Sequence, residues 1–293
     1  MSEDGDAIPI PREGLLSQRT LSDLQHNLSV KEKLRRLSEE NNTMHQARVR
    51  SLQAKTAGNF LRATPGLRLA MAPHRFREAV AFYLGVTTYN FHEGQLCPDC
   101  GKEDEEAGVA RHSHFSPKHD KLCREIGNTA HMMGIDVRYE QKLHPNAEGV
   151  AGDIEMILGG RRVLLDTTVV MPAAKTYASR AAKETGWAIA YKEGLKLDKY
   201  QEDLRISNEN PFSPPTDFIP LVVEAYGGWS DTALKFFRYL CQMRSHRPGV
   251  ATRTDRFLLQ HLLVRLDVIL QSYNADAILS RSRGVTLGDT FVF

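Results

Sequence analysis

Gly152-Asp153-Ile154-Glu155-Met156-Ile157-Leu158, then Gly159-Gly160, then Arg161-Arg162-Val163-Leu164-Leu165-Asp166-Thr167-Thr168-Val169-Val170, is the stretch on which the fold turns. Acidic and apolar residues alternate before the glycines, and a more apolar, β-branched run follows them. Two such runs across Gly-Gly predict a β-hairpin whose second strand is the more buried. With a loop of just the two glycines, counting outward pairs Leu158 with Arg161 and sets Asp153 opposite Asp166. With a loop from Gly159 to Arg162, Glu155 faces Asp166 instead. Either register sets two carboxylates about 5 Å apart at Cβ, where like charges repel. A divalent cation with oxygen ligands relieves that repulsion; solvation at an exposed hairpin is the plainer alternative. With the two-residue loop, Asp153, Glu155, Asp166 and Thr168 are expected on one face. Glu140 closes the preceding strand and reaches toward the same edge.

Outward from the hairpin, a helix is expected over 118–133, stopped by Gly134, and a strand over 135–140. A long Ala- and Lys-rich helix is expected over 173–204. Ile219-Pro220-Leu221-Val222-Val223-Glu224 reads as a buried strand parallel to its neighbour. Two helices, over 230–243 and 255–280, finish the pattern. Upstream, 20–61 is helix-compatible but mostly polar, as one helix or two. Thr64-Pro65-Gly66 breaks it, and Phe76, Val80 and Leu84 form a core-facing stripe ending at Gly85. The fold class expected is α/β, a mixed central sheet flanked by helices, with mainly helical N- and C-terminal extensions and a small zinc knuckle. The corresponding regions are a disordered tail (1–19), a helical region (20–96), the knuckle (97–119), the core (118–243) and a C-terminal helical extension (244–293).

Hydrophobic residues make up 41% of the 293 and charged residues 25%, with a formal net charge of +2, an ordinary balance for a globular protein. No apolar run reaches bilayer-spanning length, so no membrane role is expected. Met1 to Glu13 is polar and acidic, unlike a signal peptide or presequence. An intracellular, reducing compartment is therefore expected, in which the four cysteines are metal ligands or free thiols. Basic clusters at Lys31–Arg36, Arg48–Lys55 and Arg244–Arg256 read as solvated faces or as contacts for phosphate.

Two chemistries are legible. Cys97-Pro98-Asp99-Cys100 is the C-x-x-C half of a knuckle in which a tetrahedral zinc ion needs two more ligands. His114 and His119 complete a Cys₂His₂ set; His112 can substitute for His114, and Cys123 is either another fourth ligand or a core thiol. At the hairpin, carboxylates holding Mg²⁺ beside a lysine suit phosphodiester hydrolysis. Thr168 occupies the position two residues after Asp166 where a lysine is expected. Lys192, Lys196 and Lys199 share one helical face, and Lys196 or Lys199 can supply the missing ammonium if that face meets the sheet; otherwise they are a solvated stripe. Glu224, ending a buried strand, reads as a paired structural acid, and Trp229 as core.

His119-Asp120, Gly134, Glu140, Gly152-Asp153, Leu165-Asp166-Thr167-Thr168-Val169, Lys196-Leu197-Asp198-Lys199-Tyr200 and Phe218 to Glu224 stand in an order that resembles the restriction-endonuclease-like region ending LINE-type retrotransposon polyproteins. That region is a branch of the PD-(D/E)xK nuclease superfamily. Phe60-Leu61, Phe76 to Gly85, Cys97 to Cys100, Gly227-Gly228-Trp229 and the Leu266 to Ala277 helix extend the resemblance over about 50–280. It implies a DNA substrate, possible contact with RNA and a reverse-transcriptase module, nuclear location, and nicking of target DNA with Mg²⁺ or Mn²⁺. Asp153 and Asp166 would be the acids of the two motifs, Lys196 or Lys199 the migrated lysine, and Glu140 an accessory ligand. Gly152 stands where the superfamily often has proline, and no reverse-transcriptase sequence precedes the region. The competing expectations are a non-catalytic nucleic-acid-binding remnant and a protein-interaction scaffold built on 20–61.

Overall fold

The computed structural model describes residues 18–63, 71–86, 117–144, 151–212, 214–243 and 253–283. Cys97, Cys100, His112 and His114 lie outside these residues, as does the expected tail up to residue 17. In chain order the elements are α1 (Gln18–Glu39), α2 (Thr43–Ser51), a 3₁₀ turn (Asn59–Arg62), α3 (Pro73–Leu84), α4 (Pro117–Met132), β1 (Val137–Lys142), β2 (Ala151–Leu158), β3 (Arg161–Val170), α5 (Lys175–Ala181), α6 (Trp187–Glu209), β4 (Thr216–Glu224), α7 (Asp231–Gln242) and α8 (Arg253–Arg283). The chain divides into two units, 1–42 and 43–293.

In the first unit α1 neutralises much of its own charge. Arg35 reaches Glu32 and Glu39, and Arg36 reaches Glu32, so the Glu32 carboxyl is held down at about 2 by the two guanidinium groups.

In the second unit Gly159 and Gly160 both take positive φ, 57° and 78°, as both central residues of a type I′ hairpin turn must. Leu158 pairs with Arg161 and Ile154 with Leu165, the register of a two-residue loop. The sheet order is β1-β2-β3-β4, antiparallel from β1 to β3 and parallel between β3 and β4. A parallel pair needs a crossover, here α5 and α6. The helix expected over 173–204 is divided at Gly186, whose φ of 79° no ordinary helix position allows.

The two faces of the sheet bury different helices. Ile154, Met156, Val163 and Leu165 pack with Leu122, Cys123 and Ile126 of α4, with Phe236 and Phe237 of α7, and with Leu262, Leu266 and Leu270 of α8. On the other face Leu164 packs with Tyr200, and Val170 and Val222 with Ala188 and Ile189, all from α6. The C-terminal helix, expected as an extension, is thus built into the same core as the sheet.

Buried acids tie the periphery to this core. Asp267 of α8, 1% exposed, accepts from the Phe60 amide at 2.8 Å and from Gln271 Nε2 at 3.1 Å. Glu224 is 2% exposed and accepts from the Ser51 hydroxyl of α2, the paired structural role expected of it. Burial raises its carboxyl from 4.5 to about 7, with the Ser51 bond opposing. A carboxyl raised in the folded state favours folding fully below its unfolded value, and that contribution is lost as pH climbs through 7. Relative to wild type, Glu224→Gln should therefore gain roughly 2 kcal/mol of unfolding free energy between about pH 5 and pH 7.5 in urea titrations. An identical wild-type-to-variant difference at both pH values would refute the assignment.

Candidate active site

The register is that of the two-residue loop, but the β2–β3 pairing ends at Ile154 with Leu165, one step before Asp153 and Asp166. In β1, Tyr139 pairs with Ile154 and Gln141 with Gly152, which brings Glu140 to the same level. Glu140, Asp153 and Asp166 thus form one transverse row across three strands.

The ladder is irregular at that row. Glu140 has φ of 55°, a conformation that costs a non-glycine residue on the order of 1 kcal/mol or more. Its side chain is exposed. Across from it, the Asp153 carboxylate takes over the role of a strand acceptor: Oδ2 receives the Thr167 amide at 2.5 Å. The same oxygen meets His119 Nε2 at 2.9 Å. The common face expected for Asp153, Glu155, Asp166 and Thr168 is therefore not what forms. Asp153 is engaged from the α4 layer, whereas Asp166 is engaged from the α6 layer. Glu155 is consumed elsewhere, in bonds from Arg162 Nε at 2.7 Å and Nη2 at 2.6 Å.

Asp166, 3% exposed, needs partners for its charge. Lys196 Nζ lies 2.7 Å from Oδ1 and 2.8 Å from Oδ2, and the Tyr200 hydroxyl donates to Oδ2 at 2.7 Å. Lys196 and Tyr200 are one helical turn apart and share a face of α6. Tyr200 fixes the rotation of that helix, because its ring stacks on Phe218 of β4 with centroids 4.1 Å apart. Burial, and then the Asp166 charge, push the Tyr200 hydroxyl well above its usual range, so it remains a donor. Lys199 is exposed, with Nζ 5.1 Å from the Tyr200 ring centroid, and Lys192 lies 5.6 Å from that of Tyr177. Of the lysines on this face, Lys196 is the one at Asp166.

His119 and Cys123 have the same four-residue spacing on α4. Cys123 Sγ lies 3.7 Å from His119 Nε2, and His119 Nδ1 lies 3.3 Å from Asp120 Oδ1. Burial works against charge on His119, but its bonds to Asp153 and Cys123 prevail and raise it to about 11. Burial pushes the Cys123 thiol up. Ligand atoms of His119, Cys123 and Asp153 all fall within 4.8 Å of one another, and this group can hold a metal ion. Asp166 and Glu140 are not members of it. Cys123 is both the core thiol of one sequence reading and a neighbour of His119. His131 is exposed. Sequence reasoning missed the meeting of Asp153 with α4, although the His119–Cys123 spacing matches the Lys196–Tyr200 spacing and marks a pair on one helical face.

Of the basic clusters, Arg48 is 6% exposed and donates to the Tyr83 carbonyl, and Arg50 donates to the Ala182 carbonyl. No protein-family model matches this sequence, and no curated protein does. No described helix is long and apolar enough to cross a membrane.

Proposed function

We propose that this chain is a metal-dependent DNA endonuclease of retroelement origin, with a restriction-endonuclease-like core, that nicks its target in the nucleus. The observation that carries the reading is the lysine on Asp166. Thr168 leaves the position two residues after Asp166 without a basic group, and Lys196 arrives from α6 to span both carboxylate oxygens. Beside it, Asp153 stands across the strand pair, with no hydrogen bond to its Oδ1 among the described residues.

Asp153 and Asp166 are the residues that would hold Mg²⁺ or Mn²⁺, with Glu140 at the same level. The all-oxygen donor set suits a hard ion, which when bound would polarise a water and neutralise charge on the phosphate. Lys196 places a fixed positive charge where negative charge grows on a scissile phosphate. Tyr200 holds Asp166 in one rotamer, leaving Lys196 a defined position. A Zn²⁺ knuckle through Cys97, Cys100, His114 and His119 belongs to the same proposal, as does a reverse-transcriptase module as partner.

A second reading, a nucleic-acid-binding remnant without catalysis, is favoured by one feature: Asp153 is tied to His119 and Thr167 and does not turn toward Asp166. Supercoiled plasmid separates the two. With Mg²⁺ or Mn²⁺ the protein should relax it, EDTA should stop the reaction, and Asp166→Asn should lower the rate on the order of a hundredfold or more while remaining folded. Full activity in Asp166→Asn would sink the assignment. Salt-sensitive DNA binding by a folded protein that never cuts would establish the remnant instead.

A further inference from the structure

We propose that His119, Cys123 and Asp153 form a transition-metal site of the zinc class, with three protein ligands and one position open to water. The site shares Asp153 with the proposed nuclease centre and claims His119, which leaves the proposed knuckle to find its fourth ligand elsewhere; it does not require that DNA be cut.

The donor atoms are an imidazole nitrogen, a thiol sulfur and a carboxylate oxygen, a mixture that Zn²⁺ or Co²⁺ accepts and Mg²⁺ does not. Tetrahedral zinc with bonds of about 2.0–2.3 Å sets neighbouring nitrogen and sulfur ligands about 3.5 Å apart. His119 Nε2 and Cys123 Sγ are 3.7 Å apart. His119 Nε2 and Asp153 Oδ2, at 2.9 Å, share a proton at present; an ion in its place opens that edge by about half an ångström.

The surroundings are those of a built site. One helical turn fixes the separation of His119 from Cys123, and the Thr167 amide anchors the Asp153 oxygen. Asp120 Oδ1, 3.3 Å from His119 Nδ1, is the outer carboxylate that orients metal-bound histidines. The Thr167 hydroxyl is buried without a hydrogen-bond partner and stands beside the Cys123 sulfur, where it can donate to a thiolate. The His119 and Asp153 side chains are 24% and 21% exposed, so the fourth position opens to solvent while Cys123 closes the back. Open three-ligand sites are the catalytic kind, and closed four-ligand sites the structural kind.

Cobalt reads this site without any cleavage assay. The full-length chain, stripped with chelator, is titrated with Co²⁺ while the near-ultraviolet thiolate-to-cobalt charge-transfer band is followed. The band should appear in wild type, persist in the Cys97→Ser/Cys100→Ser double variant, and vanish when Cys123→Ser is added to that double variant. Circular dichroism checks that each variant folds. Should Cys123→Ser fail to fold, Asp153→Asn in the double-variant background must keep the band and weaken Co²⁺ binding about tenfold or more. In the double-variant background, a band that survives Cys123→Ser, a band already lost with Cys97 and Cys100, or an affinity indifferent to Asp153→Asn would each overturn the site.

Discussion

Lys196→Met should lower plasmid nicking on the order of a hundredfold and also cost about 3 kcal/mol of unfolding free energy in urea titrations. Both effects have one origin. Asp166 is nearly inaccessible, and its partners are Lys196 and Tyr200. Methionine fills the space of the lysine stem but supplies no charge, so the carboxylate is left in the core with a single hydroxyl donor. Removing one member of such a pair is far more damaging than removing both. The double variant Lys196→Met/Asp166→Asn should therefore regain most of the stability and none of the activity. Wild-type nicking by Lys196→Met would reduce the lysine to a counter-ion. A double variant no more stable than the single one would show that packing, not charge, explains the loss.

Asp267→Ala should cost roughly 3 kcal/mol, a fall of about 6–10 °C in Tm for a chain of this size. The carboxylate gathers the Phe60 amide and the Gln271 amide group in a buried setting. A methyl group leaves the Phe60 amide without its acceptor and Gln271 Nε2 with the Ala225 carbonyl alone. The backbone presses close as well: a Cβ on Gly227 would lie 2.5 Å from Asp267 Oδ1. Burial raises this carboxyl to about 7 despite its donors, so the uncharged isostere Asp267→Asn should cost much less, about 1 kcal/mol. Equal losses for alanine and asparagine, measured by thermal unfolding, would contradict this account.

These residues mark where the sequence was legible and where it was not. The hairpin register could be counted from Gly159-Gly160 because side chains alternate with a fixed period and the turn admits few loop lengths. β4 could be read as parallel because its apolar run is unbroken on both faces. The lysine stripe narrowed the basic group to Lys196 or Lys199, and only the stacking of Tyr200 on Phe218 settled which one meets Asp166. The direction of Asp153 was out of reach, since alternation presumes a regular ladder and the ladder gives way where Glu140 takes a positive φ. The place of α8 was hidden for another reason. Asp267, Gln271 and Asn274 look like surface residues in a sequence, yet Gln271 and Asn274 both donate to the Ala225 carbonyl inside the core.

The parallel pairing of β3 with β4 has a consequence for the order of assembly. The antiparallel strands can zip locally around the two glycines, whereas β4 can join only after the chain has travelled through α5 and α6, and such non-local closure is slow. Until then Asp166 sits on an open sheet edge, hydrated and without its ammonium. Docking of α6 supplies Lys196 and Tyr200 as the crossover that delivers β4 becomes compact. Completion of the sheet and neutralisation of its buried acid are thus coupled, because both depend on the docking of α6.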